Sequence, residues 1–371
     1  MKKLIFLFAI TTILTACSSS DTEAPAAGNS FNRTALLTHW ADNLIIPAFQ
    51  NYSDKLALLQ VDVQNFNADP SQENLLAARA SWLTAYESFQ KVMLFNIGKA
   101  SDLNFKESAD TYPTDVSGIE ANVANGNYNL ELLSQYSKQG FPALDYMLNG
   151  LGESDSAIIE KYSTDANAAS YNQYLSDLVV SLKAKSTAIV TDWNTSYRST
   201  FINSNGTAVS SSTNKMTNLF VKNFEKDIRT GKVGIPAGVF SNGTLFPEKV
   251  EGFYKKNISR TLLNTAIQAQ QDFFNGKYFA SSQVGPSLKS YLDDVNAVRD
   301  GLNLSAIINN QFDNIYATNA GLNENFSQQI IINNVKMLES YDAMQKNVVY
   351  FKLDMMQALN VTIDYVDGDG D

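Results

Sequence analysis

One cysteine and one histidine in 371 residues remove most catalytic chemistry before any motif is sought. A disulfide within the chain, a cysteine-rich zinc site and the H-E-x-x-H arrangement are all excluded. A Ser-His-Asp triad would have to recruit His39. Positive charge is also in short supply. Lys and Arg number 28 against 38 Asp and Glu, a formal net charge of −10, so the basic footprint needed for phosphate backbones is missing. Nucleic acid is therefore not an expected partner. The apolar run from Leu4 to Leu14 is too short to span a membrane as a stable helix. What remains, with 44% hydrophobic and 18% charged residues, is a composition able to build a globular core.

Lys2 and Lys3 precede that apolar run, and Leu14-Thr15-Ala16-Cys17 follows it. The arrangement resembles a bacterial lipobox, which implies a signal peptide over residues 1–16, cleavage before Cys17 and lipidation of that residue. An ordinary signal peptide is the alternative. Under the lipobox reading the lone cysteine is a membrane anchor and not a redox or metal residue, because several acyl chains on one residue hold firmly. The expected location is the bacterial cell envelope, on the outer membrane. Residues 17–30, small and polar with Pro and Gly, read as a flexible tether.

The body reads as helices. Phe49, Tyr52, Leu56, Leu59, Val63 and Phe66 recur in steps of three and four, with Pro47 expected to kink or start the helix. A second helix is predicted to open with Asp69 as N-cap, Pro70 in its first turn and Gln72 as capping-box partner, burying Leu75, Ala78, Trp82, Tyr86, Phe89 and Met93. Tyr171 to Trp193 marks a third, and Val250, Tyr254, Ile258, Leu262 and Ala266 a further one. Ile331, Val335, Leu338, Tyr341, Val348, Phe351 and Met355 predict a last, very long helix. The fold class is all-α. A Ser/Asn/Gly/Thr-rich stretch from Asn203 to Asn214 is the natural linker, so residues 31–205 and 206–371 are expected to form two helical bundles with a cleft between them.

Gly140-Phe141-Pro142-Ala143-Leu144-Asp145 precedes an apolar turn that closes on Gly150. Here the chain resembles the imelysin-like family of bacterial envelope proteins, whose signature is G-x-H-x-x-E followed by an apolar turn and a glycine. Trp82-x-x-x-Tyr86-Glu87, Tyr112-Pro113, Lys232-Val233-Gly234-Ile235-Pro236 and Pro247-Glu248-Lys249-Val250-Glu251 extend the likeness in order and spacing. The closing acidic run from Asp364 to Asp371 is similar too, and its Asp-Gly-Asp-Gly-Asp reads as a solvated tail, since it lacks the spacing and final Glu of a calcium loop. The resemblance implies two helical bundles, a cleft, and a role near iron uptake with iron-uptake components as partners. Some family members are classed as metallopeptidases on their His and Glu.

This chain departs at that point: position 142 is Pro and position 145 is Asp. Pro142 has no ligand atom, so any metal site would be built from oxygen, with Asp145 as its first candidate beside Glu87 and Glu251. Such donors suit ferric iron, calcium or magnesium better than zinc. The expected ligand-binding set is Asp145, Glu87 and Glu251, with Trp82 or Tyr86 as apolar wall, and with Lys232 in a tight turn presented to the cleft. Asp145 and Glu251 could equally be helix-start acids favoured by the dipole, and Glu87 lies one residue off the apolar stripe. The leading expectation is a non-enzymatic accessory protein that binds a ligand or metal. A metal-dependent peptidase and a docking module are the alternatives.

Overall fold

The computed structural model describes residues 31–365; the leader, Cys17, the tether and residues 366–371 lie outside that range. The closing Asp-Gly-Asp-Gly-Asp therefore lies outside the described residues. From Asn32 onward the chain forms one compact unit. It is all-α, with one short antiparallel hairpin pairing Val298 with Asn303 and Arg299 with Leu302. Among the described residues no helix is long and apolar enough to cross a membrane.

The first bundle is built on helix α1 (Ile46–Ala68), which packs against α2 (Gln72–Gln90) and, further along the chain, the long helix α4 (Ala168–Asp192); the short α3 (Gly140–Asp145) lies against α4. All six residues of the predicted α1 stripe are buried. Pro47 does not break the helical path: Arg33–His39 runs into a π-helical stretch, Trp40–Ile45, and then into α1. A π turn absorbs the missing proline donor without ending the helix. The start of α2 falls two residues later than the capping pattern predicts. Ser71, in extended geometry, is the N-cap and accepts from the Asn74 amide. Asp69 instead closes α1, tied by the Asn74 side chain.

Beyond the connecting turn at 204–211, α5 (Ser212–Lys222) continues into a π-helical segment, Asn223–Gly234. The linker is shorter than its composition suggests, because Ser211 to Asn214 are buried at the start of α5. Helix α6 (Ser259–Asn275) packs against both α2 and the π segment, while α7 (Leu304–Asn319) packs against α9 (Val335–Val349), which follows α8 (Phe326–Asn333).

Two predicted helices are corrected here. Val250, Tyr254 and Ile258 sit in turns, and α6 begins only at Ser259. Gly252, Lys256 and Asn257 all have positive φ, which an α-helix does not accept. The long last helix is interrupted at Asn334, and its early stripe faces outward: Ile331 is 70% exposed and Val335 60%. The buried face of α9 carries Met337, Ser340 and Met344, and the later members of the stripe, Val348, Phe351 and Met355, are buried as expected. Further buried polar contacts hold the chain's end. The fully buried Glu225 accepts from Tyr365 Oη at 2.8 Å and from Lys352 Nζ at 3.3 Å.

Gly140 opens α3 with φ +77°, and a Cβ there would collide with the carbonyl oxygen of Ala109. That close approach sets α3 beside the segment carrying Asp110. Gly140→Ala is expected to lower stability by about 2 kcal/mol or more, combining left-handed strain with the backbone collision. Urea unfolding of the two proteins checks this; equal midpoints at equal slope would contradict it.

Candidate functional site

The polar side chains that meet in the interior come from both bundles. Tyr86 and Gln90 stand one turn apart on α2, and Asp110 follows the short helix Phe105–Ala109. Lys232 comes from the last turn of the Asn223–Gly234 segment, and Glu251 from the turns before α6. Lys232 forms an ion pair with Glu251, each side chain only 2% exposed. Gln90 Nε2 donates to Glu251 Oε1 at 3.3 Å. Tyr86 Oη donates to Asp110 Oδ1 at 2.5 Å and lies 3.3 Å from Glu251 Oε1.

Two carboxyl groups and one ammonium in a buried site leave one negative charge in excess. Burial, then the nearby Glu251 charge, hold the Asp110 carboxyl well above the usual range, with Lys232 pulling the other way. Glu251 Oε2 is buried with no hydrogen-bond partner among the described residues. Burial and the same two carboxyls raise Tyr86 and Tyr112 well above the usual phenol range.

Asp145 makes a second link between the bundles. Its Oδ2 accepts from the Tyr254 backbone amide at 2.9 Å, and its Oδ1 from the Lys255 amide at 2.8 Å and from Asn149 Nδ2 at 3.1 Å. The turns that interrupt the predicted 250–266 helix are what free those two amides. Burial pushes Asp145 up to about 7, while the backbone donors and Asn149 pull it down.

Two cavities open beside this network. One, of about 150 Å³, is lined by Tyr112, Pro142, Asp145, Glu248, Glu251 and Tyr254 among others. The other, of about 300 Å³, is lined by Lys106, Asp110, Tyr112, Asp227 and Lys232 among others. Tyr112 borders both.

The structure thus brings Asp145 and Glu251 to one cavity, and Tyr86 and Lys232 to the polar network behind it. Lys232 does so from a π-helical turn and not from the tight turn expected. Trp82 is wholly buried and donates from Nε1 to the Phe141 carbonyl at 3.2 Å, so it supports α3 instead of lining the cavity. Phe141 in turn stacks on Tyr86, ring centres 4.6 Å apart. Glu87 is half-buried and borders neither cavity. Asp110 and Gln90 escape sequence reading as site residues. A signal for Gln90 exists: it stands four residues after Tyr86 on an otherwise apolar face.

Of the expected oxygen ligands, Asp145 and Glu251 reach one cavity and Glu87 does not. Among the described residues no group of three or more His, Cys, Asp or Glu side chains could hold a metal ion. Asp145 is spent on backbone amides, and the Lys232 ammonium occupies the cation's place beside Glu251. These residues do not fit a metal centre.

The fold and site define a class: a helical protein whose two bundles are joined by buried charged and polar groups at a cleft. The chain belongs to the imelysin (peptidase M75) family, which matches residues 45–348. Iron-regulated protein A of Synechococcus elongatus is 24% identical over 188 residues, 49% of this chain and 47% of that protein. The chain thus aligns with about half the length of that relative. Among solved structures, an iron-regulated protein A precursor from Parabacteroides distasonis superposes with a TM-score of 0.71 at 17% identity, covering 88% of this chain and 95% of its own. An imelysin-like protein from Psychrobacter arcticum gives 0.70, also at 17%, covering 90% and 97%. At that identity the likeness is one of fold.

The raised Asp145 carboxyl sets a pH dependence. The folded state holds this proton more tightly than the unfolded chain, so the group's stabilising contribution is full in acid and is lost as pH rises through about 7. Asp145→Asn removes the titration. Its stability penalty relative to the wild type is expected to shrink by about 2 kcal/mol between pH 5 and pH 8. Urea titrations at the two pH values measure it, and a penalty that is constant or grows would refute the assignment.

Proposed function

We propose that this chain is a lipid-anchored protein of the bacterial envelope that binds a small polar ligand at the cleft between its bundles, as a non-catalytic accessory in iron uptake. The observation that carries the reading is the Lys232–Glu251–Asp110 network. Its members come from different bundles, so a ligand that reaches them from either cavity acts on the contact between the bundles. Function in paired bundles calls for such convergent polar groups.

Pro142 argues against hydrolysis. It borders the smaller cavity where the family signature has its His, and it has no donor atom there. Asp145, at the Glu position of that signature, serves as a cap for two backbone amides. The iron context rests on the family and on the relatives' names. The anchor rests on the lipobox-like Leu14 to Cys17, on the outer membrane as the expected address.

Purified protein incubated with unfolded casein is expected to give no cleavage with or without added zinc. Reproducible cleavage that a chelator abolishes and zinc restores would overturn the non-catalytic reading. In cells starved of iron, Cys17→Ser protein is expected to leave the membrane fraction and to fail to restore growth to a deletion strain. Normal membrane fractionation of that variant would refute the anchor, and undiminished growth of the deletion strain itself would refute the iron context.

A further inference from the structure

A more spacious cavity lies elsewhere. It measures about 780 Å³, within the range of small-molecule pockets, and shares no lining residue with the two cavities at the Asp110–Glu251 network. One wall is a single face of α6. Thr261, Asn264, Thr265 and Gln268 recur there at helical spacing, so a polar helix face looks into the cavity. Phe95 and Phe273 are buried at its floor with ring centres 5.8 Å apart, and Tyr278 and Phe279 stand half-buried at its side.

The charge balance at this cavity is positive although the chain as a whole is acidic. Lys277 lies 3.3 Å from Asp272, while Lys91, exposed at the end of α2, has no carboxylate in ion-pair range among the described residues. Two ammonium groups against one carboxylate leave a single positive charge.

The wall at 277–282 is held from outside the cavity by the chain's one histidine. His39 Nε2 lies 2.8 Å from the Gly276 carbonyl, which can only accept, so the proton is on Nε2. Nδ1 then accepts from Asn43 Nδ2 at 3.0 Å, and the Asn43 carbonyl accepts from the Phe279 amide at 2.8 Å. The imidazole also packs on Tyr278 with ring centres 4.6 Å apart. Burial lowers its pKa, which favours this neutral form. The histidine that a Ser-His-Asp triad would have had to recruit is thus a fastener for a cavity wall.

We propose that this cavity is a second binding site, for a planar, largely apolar molecule bearing one acidic group. Its rings lie against Phe95 and Phe279, its acid faces Lys91, and the hydroxyl and amide groups of α6 meet its remaining polar atoms. The preformed wall lowers the entropy lost on binding.

The test is fluorescence titration with 8-anilinonaphthalene-1-sulfonate, an aromatic sulfonate of this class. Saturable binding at one probe per chain is expected. Ala269→Trp, which fills the cavity from α6, should weaken it about tenfold. Lys91→Gln and added salt should each weaken it about threefold. If Ala269→Trp loses its helical circular dichroism, Phe279→Ala takes its place with the same expected direction. Absence of saturable binding, or wild-type affinity in the cavity variant, would overturn the site. Unchanged affinity in Lys91→Gln would overturn the acidic class of ligand.

Discussion

Lys232 and Glu251 lie almost wholly out of water, and each would be intolerable there alone. An unpaired buried charge costs several kcal/mol, so the pair holds only while the elements carrying it stay together. Lys232 belongs to the π-helical segment and Glu251 to the turns before α6, and both face Tyr86, Gln90 and Asp110 of the first bundle. The arrangement of the two bundles is thereby tied to one charge balance, in which burial and the Glu251 charge raise the Asp110 carboxyl.

The region around this network is built from departures from regular helix. Gly140 permits α3 to approach Ala109, Trp82 holds the Phe141 carbonyl, and Phe141 stacks on Tyr86. The turns at 250–258 give up helical hydrogen bonds, and Asp145 accepts from two of the freed amides. A carboxylate accepting backbone donors is a positioning device. The segment that carries the family signature therefore works here as a clasp between bundles, with Pro142 adding shape but no donor.

His39 follows a similar logic beside the end of α6. A single imidazole that could suggest catalysis is used up by one carbonyl, one amide and one ring. The loop it secures forms one wall of the 780 Å³ cavity, so the cavity's shape does not depend on a ligand to create it.

Much of the fold was legible from periodicity. The stripes of α1, α2 and α4 are buried as predicted because long amphipathic helices are decided by local spacing. The 250–266 stripe failed in its first half because positive φ at Gly252, Lys256 and Asn257 outweighs apolar spacing, while Leu262 and Ala266 are buried on the helix as expected. The 331–355 stripe failed in its first turns because the chain breaks at Asn334. Asp145, Glu251, Tyr86 and Lys232 could be singled out as residues, since motif and order lie in the sequence itself. Their assembly could not. Asp110 and Gln90 join them from more than 100 positions away from Glu251, and Trp82 and Glu87, which flank Tyr86 on the same helix, do not join the network. Sequence alone determined most of the helices, the missing histidine and the scarcity of nitrogen and sulfur metal donors. Tertiary packing decided which acids share a cavity, because a carboxyl group's partners and proton depend on what lies within a few ångströms, and chain order does not specify that.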